Sequence, residues 1–282
     1  MKKGISIWSF AETDLAKCFA LAKDAGFDGI ELALDETGPV SMDLTEEAAL
    51  HIKQMASDAG LALYSVASGL YWTYQYTSSD PKSRAYAKEI TKKQLQIASW
   101  LGCDTILVVP GAVKVDFDPD SEIVPYDIAY ERAQEALREL APYAEKLGVA
   151  IGVENVWNQF LLSPLEMRRF IDEIGSNYVG AYFDVGNVVY CGHPEHWIHI
   201  LGNRIKKVHF KDYRKAAGGL HGFVDLLSGD VNYPQVMEAF HSIGYDDWVT
   251  GEMLPPYTHY PEQILYNTSN SMDKILGRNT SC

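Results

Sequence analysis

The chain has 282 residues, and 24 lysines and arginines against 38 aspartates and glutamates leave a formal charge of −14. Such a surface repels nucleic-acid phosphates and anionic lipid, so neither is an expected partner. With 47% hydrophobic and 22% charged residues the composition is that of a globular protein with a deep core.

The start, Met1-Lys2-Lys3, is basic like that of a signal peptide, but the apolar run behind it is brief and Glu12 and Asp14 follow. No uncharged apolar run approaches the ~20 residues of a membrane span. Cys18, Cys103, Cys191 and Cys282 are widely spaced without a CxxC, as reduced thiols of a cytoplasmic protein would be.

One local pattern recurs along the chain: an amphipathic stretch, a glycine just past its end, then a β-rich run. The glycines are Gly26, Gly60, Gly102, Gly148, Gly175, Gly202 and Gly244, at positions that need the positive φ glycine reaches without cost. The strands they predict are Gly4–Trp8, Gly29–Leu34, Leu61–Ala67, Thr105–Val109, Ala150–Glu154, Val179–Asp184, Ile205–Phe210 and Trp248–Glu252, apolar on both faces as buried parallel strands are. Asp80-Pro81 and Ser163-Pro164-Leu165-Glu166 mark helix starts by cap, first-turn proline and capping box. No linker divides the chain. Eight βα units over this length predict one α/β domain spanning 1–282, a (β/α)8 TIM barrel. A doubly wound open sheet would need a glycine-rich phosphate loop after the first strand, and Ser9-Phe10-Ala11-Glu12 is not one.

Catalytic groups of such a barrel lie at the carboxyl ends of its strands. Strands five to eight each end in a ligand for a hard divalent cation: Glu154, Asp184, His209 and Glu252. Singly, a carboxylate ending a strand is more often a loop partner, and a lone histidine more often a hydrogen-bonded core residue. Four in succession make a metal site the better reading. Carboxylates with one imidazole suit Mn2+ best, with Mg2+ or Co2+ as alternatives. Lys211 and Asp212 follow His209, and an acidic neighbour could fix the imidazole tautomer. Asn155 and Asn187 are candidates for holding substrate hydroxyls or for ordinary turn bonding.

The motifs VEN, FDVGN, VHFKD and GEM, in that order, resemble those of the metal-dependent sugar isomerase/epimerase family built on the xylose isomerase-like barrel, and the similarity runs from GISIW and GIEL to the last helix. The resemblance implies one metal held by Glu154, Asp184, His209 and Glu252, with both glutamates also moving protons. It implies a sugar substrate, and it matches Arg214 to a position that often contacts substrate oxygens. It also suggests a homo-oligomer, dimer or tetramer.

The chemistry agrees with those residues independently. Deprotonating a carbon beside a ketone creates an enediolate whose charge a divalent ion stabilises. Two carboxylates can then abstract and return the proton on opposite faces, giving a ketose 3-epimerase, while return on one face gives an aldose–ketose isomerase. The alternative is a lyase or dehydratase that uses the same groups for β-elimination from a 3-keto-glycoside or inosose, with a hetero-partner as one option.

Ser68 to Tyr76 carries Tyr71, Trp72, Tyr74 and Tyr76, which could stack on a sugar or an attached ring or form a hydrophobic lid. Trp8 and Trp157 are candidates for a sugar-stacking wall, and Glu31 for a mouth residue or an internal salt-bridge partner. The aromatic loop has no basic residue, which favours an unphosphorylated ketose or keto-glycoside, whereas the basic, glycine-rich Arg214–Gly219 segment points towards phosphate. Where some epimerases keep a second carboxylate after the strand-five ligand, this chain has Phe160. A DNA-cleaving relative with a multi-zinc cluster would need more histidines and a basic face.

Overall fold

The computed structural model describes residues 1–278; Cys282 lies outside them. Eight parallel strands close on themselves. They are β1 (Lys2–Ser6), β2 (Gly29–Leu34), β3 (Ala62–Ser68), β4 (Thr105–Val108), β5 (Ala150–Glu154), β6 (Val179–Asp184), β7 (Ile205–Phe210) and β8 (Trp248–Gly251). Each pairs with its sequence neighbours, and β8 returns to β1 through Lys2 opposite Trp248 and Gly4 opposite Thr250. The helices between and after them are Leu15–Asp24, Glu46–Asp58, Pro81–Leu101, Tyr126–Leu147, Pro164–Ile174, Pro194–Leu201, Tyr233–Ser242 and Gln263–Ile275. This is the (β/α)8 barrel expected from the repeating pattern. Among the described residues no helix is long and apolar enough to cross a membrane.

The helix boundaries follow local chemistry. Asp80 accepts from the Lys82 amide at 2.9 Å and Ser163 from the Glu166 amide at 3.2 Å, both ahead of a first-turn proline. Gly102 and Gly148 close their helices in the left-handed conformation, at φ 81° and 67°.

The first strand differs from expectation. It begins two residues earlier and ends at Ser6, whose hydroxyl accepts from the Trp8 amide and turns Ile7–Ser9 out of the sheet. Lys3 is buried within it because its ammonium pairs with Asp273 at 2.6 Å and Ser269 at 2.9 Å on the last helix. A short antiparallel ribbon, Asp212–Tyr213 against Phe223–Val224, rises from the end of β7 and was not foreseen.

Two rings fill the end of the barrel opposite the catalytic mouth. Tyr64 and Trp248 stack at 4.0 Å with an interplanar angle of 8°, and the Tyr64 hydroxyl meets Thr250 at 2.8 Å. Gly4 and Gly29 supply the room: a β-carbon on either would run into these rings. At Gly29 it would also lie 2.6 Å from the Ala62 carbonyl oxygen, backbone that no rotamer change can move. Gly29→Ala is therefore expected to lower stability by about 1–3 kcal/mol through overpacking, read as an earlier urea midpoint with an unchanged denaturant slope. An unchanged midpoint would contradict this account of the barrel floor.

Candidate metal centre

Strand stagger brings four side chains to one point at the mouth. Asp184 closes β6 directly opposite His209 of β7, while Glu154 closes β5 opposite Tyr182, two residues short of Asp184. Glu252 leaves β8 with its amide bonded to the Phe210 carbonyl at 3.2 Å. One ligand atom from each of Glu154, Asp184, His209 and Glu252 lies within 4.8 Å of all the others, and all four residues are buried.

The electrostatics of this cluster need a cation. His209 Nδ1 stands 3.1 Å from Glu252, 3.5 Å from Glu154 and 3.9 Å from Asp184. Lys211 reaches in with its ammonium 3.0 Å from Asp184 Oδ2 and in contact with Glu252. Despite these ion pairs, Asp184 Oδ2, His209 Nδ1 and Glu252 Oε2 are buried without an aligned hydrogen-bond partner, which is costly for polar atoms out of water. Three carboxylate oxygens and one imidazole nitrogen facing a common point fit a hard divalent ion.

Burial pushes Glu154 up to about 7 and also raises Asp184, against the pull of Lys211. Burial would raise Glu252 too, but Lys211 and His209 outweigh it and hold that carboxyl down to about 2. Burial opposes charge on His209, yet Glu252, Glu31 and Glu154 together lift it well above the usual imidazole range.

The partner of the imidazole is not the expected one. Asp212 faces away from His209 and accepts four backbone amides, from Tyr213, Leu227, Gly229 and Val231 at 2.8 to 3.1 Å, organising the loop after β7. Glu31 takes the role instead. Its Oε1 lies 3.0 Å from His209 Nε2, and its other oxygen accepts from Ser65 at 2.9 Å and from Tyr182. With Nε2 engaged, Nδ1 is the nitrogen that faces the other ligands. The signal in the sequence was a lone glutamate inside the apolar strand Gly29–Leu34.

The remaining candidates divide. Trp8, Trp72, Trp157, Asn187 and Lys211 line a cavity of about 820 Å³ that opens over Glu154 and Glu252. Asn155 instead grips the backbone of Asp184 on both sides, at 2.9 Å to its N–H and 2.8 Å to its carbonyl. It orients Asp184 and does not line the cavity. Asn187 donates its amide to Asp184 Oδ1 at 2.8 Å and its side chain to the Asn155 carbonyl at 2.9 Å.

Tyr71 departs from expectation: it is fully buried, and its hydroxyl bonds Thr91 and Gln94 on the third helix. Tyr76 packs beside it, so of the four aromatic side chains of this loop Trp72 alone lines the cavity. Arg214 is also displaced: it is exposed, lies outside the cavity lining, and donates to the Ser228 carbonyl. Phe160 is a core residue between Tyr126 and Phe170. Phe117, Leu220, Phe223 and the Leu254–Tyr257 segment line the cavity without having been foreseen.

Comparisons with known proteins agree with this geometry. The sequence model of the xylose isomerase-like TIM barrel family matches residues 19–268. A protein of Escherichia coli named "Putative L-ribulose-5-phosphate 3-epimerase SgbU" is 27% identical over 80% of this chain and 78% of its own length. Among solved structures, D-psicose 3-epimerase from Clostridium cellulolyticum H10 superposes with a TM-score of 0.78 at 20% identity, covering 98% of this chain and 99% of that one. The 3-keto-D-glucoside 4-epimerase YcjR of E. coli does so with 0.77 at 18% identity, covering 98% and 99%. These structural likenesses concern the fold.

Two outcomes follow from the site. Glu31→Gln should weaken Mn2+ binding by roughly 10- to 100-fold, measured by calorimetry, with the far-ultraviolet circular dichroism unchanged; undiminished affinity would remove Glu31 from this role. Separately, a metal ion must displace protons held by His209 and, near neutrality, by Glu154. Binding at pH 7 should therefore release roughly one to two protons, seen as a dependence of the calorimetric enthalpy on buffer ionisation. The sign follows from raised values: affinity climbs with pH and falls as pH drops below about 7, where Glu154 becomes protonated.

Proposed function

This chain belongs to the xylose isomerase-like TIM barrel family, and from that premise we propose that it is a divalent-metal-dependent ketose 3-epimerase acting on an unphosphorylated keto sugar. The observation that carries the reading is the pair Glu154 and Glu252. They come from β5 and β8, with two strands between them, and both border the same cavity. Carboxylates placed this way address a sugar carbon from different directions, as inversion requires.

Glu154, Asp184, His209 and Glu252 would hold the ion, which when bound supplies Lewis-acid stabilisation of charge developing on the ketone oxygen. The chain's own groups account for the protons. Glu252, held low by Lys211 and His209, is ionised at neutral pH, the form that can take a proton from carbon. Glu154, two strands away on the rim of the same cavity, would return a proton to the other face. Lys211 keeps Asp184 and Glu252 oriented, and Trp8 and Trp157 offer faces for sugar C–H groups. An isomerase would use the same residues with the proton returned on one face.

The absence of a phosphate group on the substrate is supported by the lining of the cavity. Among the described residues its one lysine or arginine is Lys211, already engaged by two carboxylates. A phosphate calls for several unengaged donors. The large apolar part of the cavity favours a second reading as well: β-elimination from a 3-keto-glycoside by the same glutamates.

The test is solvent deuterium exchange. Mn2+-loaded protein in D2O should incorporate one deuterium beside the ketone of D-psicose or D-ribulose, stop after chelation, and act less well on L-ribulose-5-phosphate. Glu154→Gln and Glu252→Gln should each lower the exchange rate by about 10²- to 10⁴-fold, with metal content measured alongside. No exchange on any ketose, or a preference for the phosphorylated sugar, would refute the proposal in its present form.

A further inference from the structure

We propose that the cavity contains an apolar subsite beyond the metal centre that binds the aglycone of a keto-glycoside, a flat ring attached to the sugar held below. The proposal rests on the keto-glycoside reading of the metal end, the second one given above, and names the substrate class more closely. Size is the first argument. At about 820 Å³ the cavity lies high in the ~300–1,000 Å³ range of sites for drug-sized ligands, and a free ketose at the strand ends would fill only its floor.

Composition is the second argument. The ligand and proton-moving groups sit at strand ends, but the loops above them contribute apolar surface: Trp72 after β3, Phe117 after β4, Leu220 after β7, and Leu254 with Pro256 after β8. Trp72 and Phe117 meet edge to face, with centroids 4.8 Å apart at 72°, so they form an angled aromatic wall. Phe117, Leu220 and Leu254 are 45%, 50% and 47% exposed, although each borders the cavity. Apolar surface grouped in this way around a concave site marks a binding region.

Third, the two carboxylates near this wall already have hydrogen-bond partners. Asp212 is taken up by four backbone amides and Asp225 by the Tyr257 hydroxyl. A second sugar or a phosphate would find few unengaged partners there, whereas a ring loses little by leaving water. Continuity with the metal centre fixes the occupant, because Glu154 and Glu252 line the same cavity.

The experiment titrates Mn2+-loaded protein with p-nitrophenyl β-D-glucopyranoside and with methyl β-D-glucopyranoside by calorimetry. The aryl glucoside should bind about tenfold or more tightly. Phe117→Ala and Leu254→Ala should each weaken aryl binding by about three- to tenfold without altering Mn2+ affinity. Equal affinity for the two glucosides, or aryl binding unchanged in both variants, would overturn the proposal. So would a change in sedimentation coefficient in the variants, which would mean that a second copy of the chain covers this surface. Aryl preference without deuterium exchange on any ketose would keep the subsite and remove the epimerase reading. Exchange on free ketoses without aryl preference would do the reverse.

Discussion

Mutual repulsion among buried carboxylates is the constraint around which the mouth of this barrel is built. Glu154, Asp184 and Glu252 converge with a histidine at a point from which water is largely excluded. At an effective dielectric near 20, two unit charges about 4 Å apart interact by about 4 kcal/mol, so three carboxylates cannot share such a volume without positive charge among them. Part of that charge is supplied by Lys211 and by a protonated His209. The unaligned atoms Asp184 Oδ2, His209 Nδ1 and Glu252 Oε2 show that these two cations leave the ligand set incompletely satisfied. A small divalent ion could meet all four side chains at once; a lysine on a flexible stem cannot.

That constraint explains features that otherwise look unrelated. Gly186 stands where a β-carbon would lie 2.5 Å from Lys211 Cβ, so its bareness lets the lysine cross the turn after β6 and reach Asp184. Asn155 clamps the Asp184 backbone, and the Asn187 amide occupies one oxygen of the same carboxylate, leaving the other to face the centre. Glu31 does the equivalent for His209 from the far side of the barrel, supported by Ser65 and Tyr182. Asp184 and His209 are thus held from behind by Asn155 and Glu31, neither of which lines the cavity, and such support keeps a site's geometry whether or not it is occupied.

What the sequence revealed divides along the range of the interactions involved. The eight strands, the helix stops and the capped helix starts depend on a few neighbouring residues, and their number and order, with no glycine-rich phosphate loop after the first strand, favoured a barrel over an open sheet. The convergence of Glu154, Asp184, His209 and Glu252 was legible because strand ends of a barrel share one rim. Contacts formed across the barrel were not legible: Glu31 and His209 are 178 positions apart, and adjacency in sequence pointed wrongly to Asp212. Orientation within a loop was equally hidden. Tyr71 and Trp72 are neighbours, yet one turns into the helix layer to bond Thr91 and Gln94 while the other faces the cavity. Arg214 follows the right strand, but Asp212 gathers the chain behind it and the ribbon carries the guanidinium outward to Ser228.

The placement of charge also bears on how one scaffold can serve different sugars. Ligands at strand ends are set by the hydrogen-bonded register of the sheet, which cannot shift locally without turning side chains to the wrong face. Phe117, Leu220 and Leu254 sit on loops whose backbones answer to no such ladder. On the proposed reading, chemistry beside a ketone belongs to the strand ends and whatever the sugar carries belongs to the loops. In this chain the loop layer contributes mainly apolar side chains and its two carboxylates are already engaged, so the discrimination expected of it on that reading is against charge. A phosphorylated sugar would have to give up its hydration to a wall of rings and prolines, beneath which the single lysine is committed to Asp184 and Glu252.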